Sequence, residues 1–374
     1  MMRTKLLPIL ASPCCKAEIR LEGFNNETGD IKVSEGILTC VACQTEYPII
    51  NGIPRFVIEL SEEEKSALSN IKSKGLVIRE QTKNDDVSSE DVYKKIERII
   101  REHEASHASK SEYAKQKYEK DLNYRIYGCE IQDKFVNTLK KYYTGSMGTF
   151  VDVGAGQGGL TKCFNEYFKS ELSIIVDYDI KWVKVAQLRN PDTDIFRGDA
   201  TRLPFKDGTI DFVMSQAMLE HIEDYSKAAN ELCRITKKVS FISWNPNKYS
   251  IYDFGHLEAP VTLLPKSIAP QVAKWWHGLR KTGRSYESIV AELNSTFYIA
   301  TTHIKKIMQN YGVVHNVFTE FGMNSLKSEY THHAGGLKKL LNKMPFVARL
   351  FFSTLAFLKI EPICYYILVK QDKA

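Results

Sequence analysis

Apolar and polar positions change their rhythm several times along the chain. In the first sixty residues short alternating runs recur at Glu18–Leu21, Ile31–Val33, Ile37–Cys40 and Glu46–Ile49. A turn at Asn51-Gly52 leads into Ile53-Pro54-Arg55-Phe56-Val57, and together these predict a small β-rich domain over residues 1–60. From Ser61 to Leu122 Glu, Lys, Ser and Asn dominate, with few large apolar residues before Val92-Tyr93, Ile96, Ile99 and Ile100. This segment, 61–122, reads as a charged linker with one or two solvated helices, most flexible at Lys74-Gly75 and Asp85-Asp86-Val87-Ser88-Ser89.

A helical period returns in Ile126, Ile131, Phe135, Val136 and Leu139 and stops at Gly145-Ser146-Met147-Gly148. Strands are then predicted at Thr149–Val153, Leu172–Asp177, Asp194–Arg197, Ile210–Ser215 and Val239–Ser243, and helices at Gly158–Phe168, Ile180–Leu188 and Ser226–Ile235. Such alternation over 123–246 means an α/β fold, a doubly wound, mainly parallel sheet with its ligand at the carboxyl ends of the strands. Residues 247–300, with His256 and Trp275-Trp276, have no clear place in the sheet and read as a cap. Over 301–374 the pattern resumes with a helix near Thr302–Gln309 and strands at Val313–Phe318 and Ile363–Val369.

The 374 residues are 43% apolar and 26% charged, which excludes a disordered, collagen-like or disulfide-scaffold chain. The net charge of +6 is mild, but from Ala334 to Ala374 seven Lys or Arg face only Glu361 and Asp372. Four of the eight cysteines, Cys14, Cys15, Cys40 and Cys43, cluster near the start; the other four stand singly. This favours a metal site with buried thiols and a reducing, cytoplasmic setting. Leu6 to Ala11 is too short an apolar run, and too broken by Pro8, for an export signal. Met344 to Ile360 contains Pro345, Arg349 and Lys359, so no transmembrane helix is expected.

The main candidate for chemistry is Phe150-Val151-Asp152-Val153-Gly154-Ala155-Gly156-Gln157-Gly158-Gly159, an apolar strand entering a glycine-rich turn and a helix. Gly154 and Gly156 allow backbone angles and close ligand approach that a Cβ forbids. The same glycines with Gly159 satisfy a dinucleotide pattern, with Asp177 eighteen residues on. Asp152, however, would repel a pyrophosphate and suits a cationic amino-acid headgroup. Asp177 ends the second strand, placed for ribose hydroxyls, and Asp199-Ala200 ends the third, placed for an adenine amine. The fourth ends at Ser215-Gln216-Ala217-Met218-Leu219-Glu220-His221.

With Gly198-Asp199-Ala200, Leu203-Pro204-Phe205 and Leu219-Glu220-His221, this turn resembles the class I methyltransferases that use S-adenosylmethionine. The resemblance is close over Gly145–Ser243 and loose over Thr302–Lys370, and it implies a Rossmann-like seven-stranded, mainly parallel sheet. It also implies Gly154 and Gly156 against the methionine moiety, with Ala155 and Gln157 in the same turn, and Asp152 near the amino group. Asp177 with Tyr178 would meet the ribose, Asp199 with Ala200 the adenine, and Gln216 the same crevice.

Thiolates of Cys14, Cys15, Cys40 and Cys43 on two short turns can close tetrahedrally on Zn²⁺. With Tyr47-Pro48-Ile49-Ile50-Asn51-Gly52-Ile53-Pro54 they resemble the zinc-ribbon methyltransferase-activator family, whose first knuckle reads Cys-Pro-x-Cys. Ser12 stands here in place of the first cysteine. Three readings follow: a distorted four-cysteine knuckle, a three-cysteine site, or a β fold without zinc.

His221 and His256 are the candidate catalytic bases, each against the plainer reading of a loop histidine. Trp275-Trp276 suits sugar stacking or cap packing, and His332-His333 reads as surface. From Gly335 to Leu358, Lys338, Lys339, Lys343 and Arg349 lie among Leu337, Leu340, Leu341, Phe346, Val347, Leu350, Phe351 and Leu355. That basic amphipathic helix suits packing on protein or peripheral contact with an anionic membrane. The expected activity is methyl transfer to a small-molecule, glycan or lipid-linked acceptor. The alternatives are an RNA or protein methyltransferase gripping its substrate with the ribbon, so that nucleic acid stays open as a partner, and a noncatalytic adapter.

Overall fold

A computed structural model describes all of the chain except residues 25–29, 75–88, 105–131, 145–147, 254–255, 327–340, 342 and 371–374. The expected flexible points at Gly75 and Asp85–Ser88, the periodic residues Ile126 and Ile131, the Gly145–Met147 stop, Cys129, His332-His333 and the tail residues Leu337–Leu340 lie outside the described residues. The chain divides into two compact units, Met1–Ile96 with Ser146–Met214 and Glu231–Lys238, and Glu97–Gly145 with Ser215–Asn230 and Val239–Ala374.

The first unit carries strands β1 (Met2–Arg3), β2 (Ile19–Leu21), β3 (Lys32–Val33), β4 (Gly36–Cys40), β5 (Glu46–Ile50), β6 (Ile53–Phe56), β7 (Thr149–Val153), β8 (Leu172–Asp177), β9 (Asp194–Gly198) and most of β10 (Ile210–Gln216). Eight of them form one ladder in the order β10-β7-β8-β9-β6-β5-β4-β2. The pairs from β10 to β6 are parallel. Beyond β6 the strands run antiparallel, because β4, β5 and β6 follow one another through short turns. Asn51 (φ 51°) and Gly52 (φ 75°) make the β5–β6 turn, the positive pair that matches hairpin twist.

Phe150, Phe164 and Phe212 pack under the parallel strands, and Phe56, Phe196 and Phe205 carry the same core into the N-terminal segment. The apolar start of the chain is part of this core: Thr4–Ile9 is a 3-10 helix, with Leu6 and Leu10 fully buried. Arg3 bonds Asp194 through its amide at 2.9 Å and its Nε at 2.6 Å. The helix Glu62–Lys74 opens with a capping box, in which the Ser61 amide donates to Glu64 and the Glu64 amide to Ser61. That helix is less solvated than its composition predicts. Glu64 is buried, with Arg55 Nε at 2.8 Å and the Arg197 guanidinium on its other oxygen. The next helix, Ser89–Glu104, buries Ile96.

The second unit holds β11 (Thr236–Pro246) from Val239 onward, β12 (Val313–Asn316) and β13 (Ile363–Val369). The last strand lies antiparallel between the other two, with Ile242 opposite Tyr366 and His315 opposite Ile367. Seven Rossmann-like strands are thus present, β7 to β10 and β11 to β13. Phe241, Phe321 and Tyr365 stack behind β13, the last two with ring centroids 4.4 Å apart. The expected cap is helical: Ala269–Leu279 and Tyr286–Ser295 close over Leu257, Ala259, Val261, Ala273, Ile289 and Leu293. Trp276 packs on that cluster while Trp275 is exposed.

The helix Pro345–Phe357 buries Ala348 but leaves Phe346 80% and Phe357 83% exposed, with Leu350 also open to solvent. Among the described residues no helix is long and apolar enough to cross a membrane. Of the single cysteines, Cys233 and Cys364 are buried, whereas Cys163 departs from the expected free state and is disulfide-bonded.

Candidate functional site

In the first unit the carboxyl ends of β7, β8 and β9 are brought level by register, Val153 opposite Val176 and Asp177 opposite Arg197. The glycine turn leaves β7 with Gly154 at φ 73° and Gly156 at φ 53°, a left-handed course that L side chains rarely follow. The Gly154 amide donates to the Val176 carbonyl and the Gly156 amide to Asp177 Oδ2, both at 2.8 Å. Ala155 and Gln157 complete the turn. A Cβ on Gly156 would meet nothing within 4 Å, whereas one on Gly158 would strike Asn190 at 2.5 Å and Ile175 at 2.8 Å. Gly156 therefore faces open space, and Gly158 serves packing.

Asp152 lies beneath the turn, 2% exposed, and accepts the Thr161 hydroxyl at 2.6 Å. Burial pushes its carboxyl up to about 7, with the Asp177 charge adding to the rise and the Thr161 bond opposing it. Burial also raises Asp177, against the opposing bonds from the Asp179 and Gly156 amides. Tyr178 is exposed, with the Arg197 guanidinium 5.6 Å from its ring. Asp199 Oδ1 accepts the amide and hydroxyl of Thr201, both at 2.8 Å, and Ala200 is 9% exposed. The structure thus brings nine of the ten expected cofactor residues to one sheet edge. The tenth, Gln216, belongs to the second unit.

At the cysteine cluster, Cys14 Sγ lies 2.8 Å from Cys43 Sγ, and Cys15 Sγ lies 3.4 Å from Cys40 and 3.6 Å from Cys43. Ser12 is buried beside them, bonded to Tyr47 at 2.9 Å and within 3.2 Å of Cys14. Burial would raise the Cys40 thiol, but amide donors at Cys43 and Ala42 and the Ser12 hydroxyl outweigh it and hold Cys40 at about 7.

In the second unit the 3-10 turn Leu219–His221 presents Glu220, fully buried, and His221, exposed. His221 and His256 meet edge to face with ring centroids 5.7 Å apart. His256 Nδ1 lies 2.9 Å from Glu292 and Nε2 lies 3.6 Å from Glu220. Burial alone would lower its basicity, yet the two carboxylates raise it to about 10, so the free imidazole is charged at neutral pH.

Residues 151–243 match the family model described as a methyltransferase domain, and residues 3–52 match that of Trm112p-like proteins. The chain joins a Trm112p-like segment to a methyltransferase domain. A demethylmenaquinone methyltransferase of Renibacterium salmoninarum is 35% identical over 88 residues, which are 23% of this chain and 36% of that protein. One from Streptomyces avermitilis is 38% identical over 61 residues, 16% of this chain and 26% of that protein. The chain thus spans about a third or less of the length of these relatives. Among solved structures, Haemonchus contortus phosphoethanolamine N-methyltransferase 2 with S-adenosylhomocysteine is similar at 18% identity and a TM-score of 0.38. That alignment covers 64% of this chain and 53% of that one.

The methyltransferase domain has the features a cationic sulfur nucleoside requires: a glycine with open space before it, a buried carboxyl that can ionise near neutrality, and carboxylates at successive strand ends. In the Trm112p-like segment the sulfurs of Cys14, Cys15 and Cys43 lie within 4.8 Å of one another and Cys40 lies 3.4 Å from Cys15, a donor set that fits Zn²⁺. Sequence reasoning missed Thr161, Glu292 and the Glu64 pair. Thr161 alone carried a signal, as a small polar residue in the first turn of the helix that leaves the glycine loop. The others depend on contacts between distant segments.

Proposed function

We propose that this chain is an S-adenosylmethionine-dependent methyltransferase acting on a small-molecule or lipid-linked acceptor. The observation that carries the reading is the row of acidic residues, Asp152, Asp177 and Asp199, at three adjacent strand ends beside the open face of Gly156. In this reading Gly154, Ala155, Gly156 and Gln157 receive the methionine end of the cofactor, and Asp152 in its ionised form balances the ammonium. Asp177 and Tyr178 take the ribose, and Asp199 and Ala200 the adenine.

The sulfonium, when bound, supplies an activated methyl group. The chain's own work is to orient, to exclude water and to set the charge of the carboxyls, so no dedicated base is needed. His256 is already protonated at neutral pH and so has no lone pair with which to take a proton from the acceptor.

Two features support a lipid-linked acceptor. Relatives of the domain are named for demethylmenaquinone. The helix Pro345–Phe357 exposes Phe346, Leu350, Phe357 and Arg349, with Lys343 and Lys359 exposed just beyond its two ends, a composition that suits an anionic lipid surface. Zinc in the Trm112p-like segment would be structural, bound by Cys14, Cys15, Cys40 and Cys43.

Calorimetry tests the cofactor part: saturable binding of S-adenosylmethionine is expected, and Asp152→Ala and Gly154→Val should abolish it. No binding by the folded wild-type chain would leave only an adapter with this fold. Mass spectrometry of an extract incubated with labelled cofactor identifies the acceptor class. Label in RNA or protein alone would overturn the small-molecule reading.

A further inference from the structure

Glu220 poses a problem of charge. Its side chain is fully buried, and among the described residues neither carboxylate oxygen meets a hydrogen-bond donor. The cationic neighbour at hand, His256 Nε2, stands at 3.6 Å, beyond hydrogen-bond reach. Burying a carboxylate without hydrogen bonds costs several kcal/mol, on the order of what holds a domain folded.

The two histidines beside it share one arrangement. His221 Nδ1 lies 3.1 Å from the Ser295 carbonyl, and His256 Nδ1 lies 2.9 Å from Glu292 Oε1. An imidazole whose Nδ1–H donates to a carbonyl or carboxylate presents a lone pair at Nε2 once neutral, which is the usual outer bonding of a metal-binding histidine. Arg284 steadies the far oxygen of Glu292 at 3.3 Å. One donor atom each from Glu220, His221 and His256 lies within 4.8 Å of the other two.

We propose that Glu220, His221 and His256 form a two-histidine, one-carboxylate site for a divalent first-row transition metal ion. Two nitrogens and one carboxylate oxygen select Zn²⁺, Fe²⁺, Co²⁺ or Ni²⁺ over Ca²⁺ or Mg²⁺, which prefer all-oxygen shells. Three protein ligands leave at least one position open, the pattern of a site that binds an exogenous ligand. The ion replaces the proton that His256 otherwise carries, gives both histidines a common partner, and gives Glu220 the direct contact that His256 at 3.6 Å does not make. This site is separate from the cysteine cluster and does not rest on the methyl-transfer reading.

Cobalt(II) titration of the metal-free full-length chain, followed by absorbance and by metal content, is the test. Wild type is expected to bind one Co(II) that shows ligand-field bands without sulfur-to-cobalt charge transfer, besides any ion held by cysteines. Glu220→Gln and His256→Gln should each bind one Co(II) fewer, and Glu292→Gln should weaken that ion about 10- to 100-fold. His221→Ala changes an exposed side chain, so it keeps its fold and should lose the same ion. Equal cobalt stoichiometry in wild type and His221→Ala, or a wild type whose bound cobalt is all sulfur-ligated, would overturn the proposal and leave His256 as a plain ion pair between two carboxylates.

Discussion

The Thr161 hydroxyl donates to Asp152 Oδ2 at 2.6 Å, tying the first turn of the helix after the glycine loop to the strand before it. The bond keeps a buried carboxyl in one orientation while burial holds it near neutral pKa.

A pH dependence follows from that value. With a folded pKa of about 7, well above that of an ordinary aspartate, Asp152 favours the folded state below about pH 4, and that contribution is lost as pH rises to 7. Cofactor binding should run the other way, since only the ionised carboxyl balances an ammonium. Calorimetry of S-adenosylmethionine should show affinity rising from pH 6 to 8 in wild type. Asp152→Asn, which still accepts the Thr161 hydroxyl, should bind weakly with a flat profile and unfold at higher denaturant above pH 7.

The two glycines of the loop should separate stability from binding. Gly158→Ala is expected to cost about 2–4 kcal/mol in urea unfolding, because its Cβ meets Asn190 and Ile175 at a left-handed φ. Gly156→Ala should cost only about 1 kcal/mol, from backbone alone, yet lower cofactor affinity at least tenfold. Equal losses in both assays for both variants would contradict the assignment.

Glu64 neutralises Arg55 and Arg197 in a buried group. Glu64→Gln should destabilise by about 3–5 kcal/mol, since it strands two guanidinium charges. Thermal melts at high salt should not recover the loss, because buried pairs are poorly screened.

Purified chain should carry one zinc per molecule in its cysteine cluster, and chelation should lower its melting temperature. Cys43→Ser should reproduce that loss. A fully folded, zinc-free wild type with an unchanged melt would support the third reading of the segment, a β fold held by packing.

Phe346→Glu with Phe357→Glu alters two side chains that are 80% and 83% exposed. Stability should change by less than about 0.5 kcal/mol, while co-sedimentation with anionic vesicles should fall several-fold. Unchanged sedimentation would remove the membrane from the proposed function.

The parallel strands and the glycine turn were legible because their signals are local. Leu172–Asp177 and Ile363–Val369 are strands to the residue, since each is an apolar run bounded by turn or charged positions. The cap helices were not, because Ala269–Leu279 mixes a buried His277 with an exposed Trp275 and blurs its own period. Nor does any local pattern announce that Glu64 meets Arg197, 133 residues away. The cysteines told of a metal site but not how Ser12 is used, which depends on Tyr47 from another strand.

The β6–β9 ladder carries one last implication. Arg55 opposite Arg197 and Phe56 opposite Gly198, just past the end of the Trm112p-like segment, join the N-terminal strands to the methyltransferase domain through main-chain pairing. Deleting residues 1–60 would not release a self-sufficient catalytic core. It would lay bare the hydrogen-bonding margin of β9 and the flank of Phe196, inviting self-association, so a truncated chain belongs in the insoluble fraction unless something strand-like is supplied in trans.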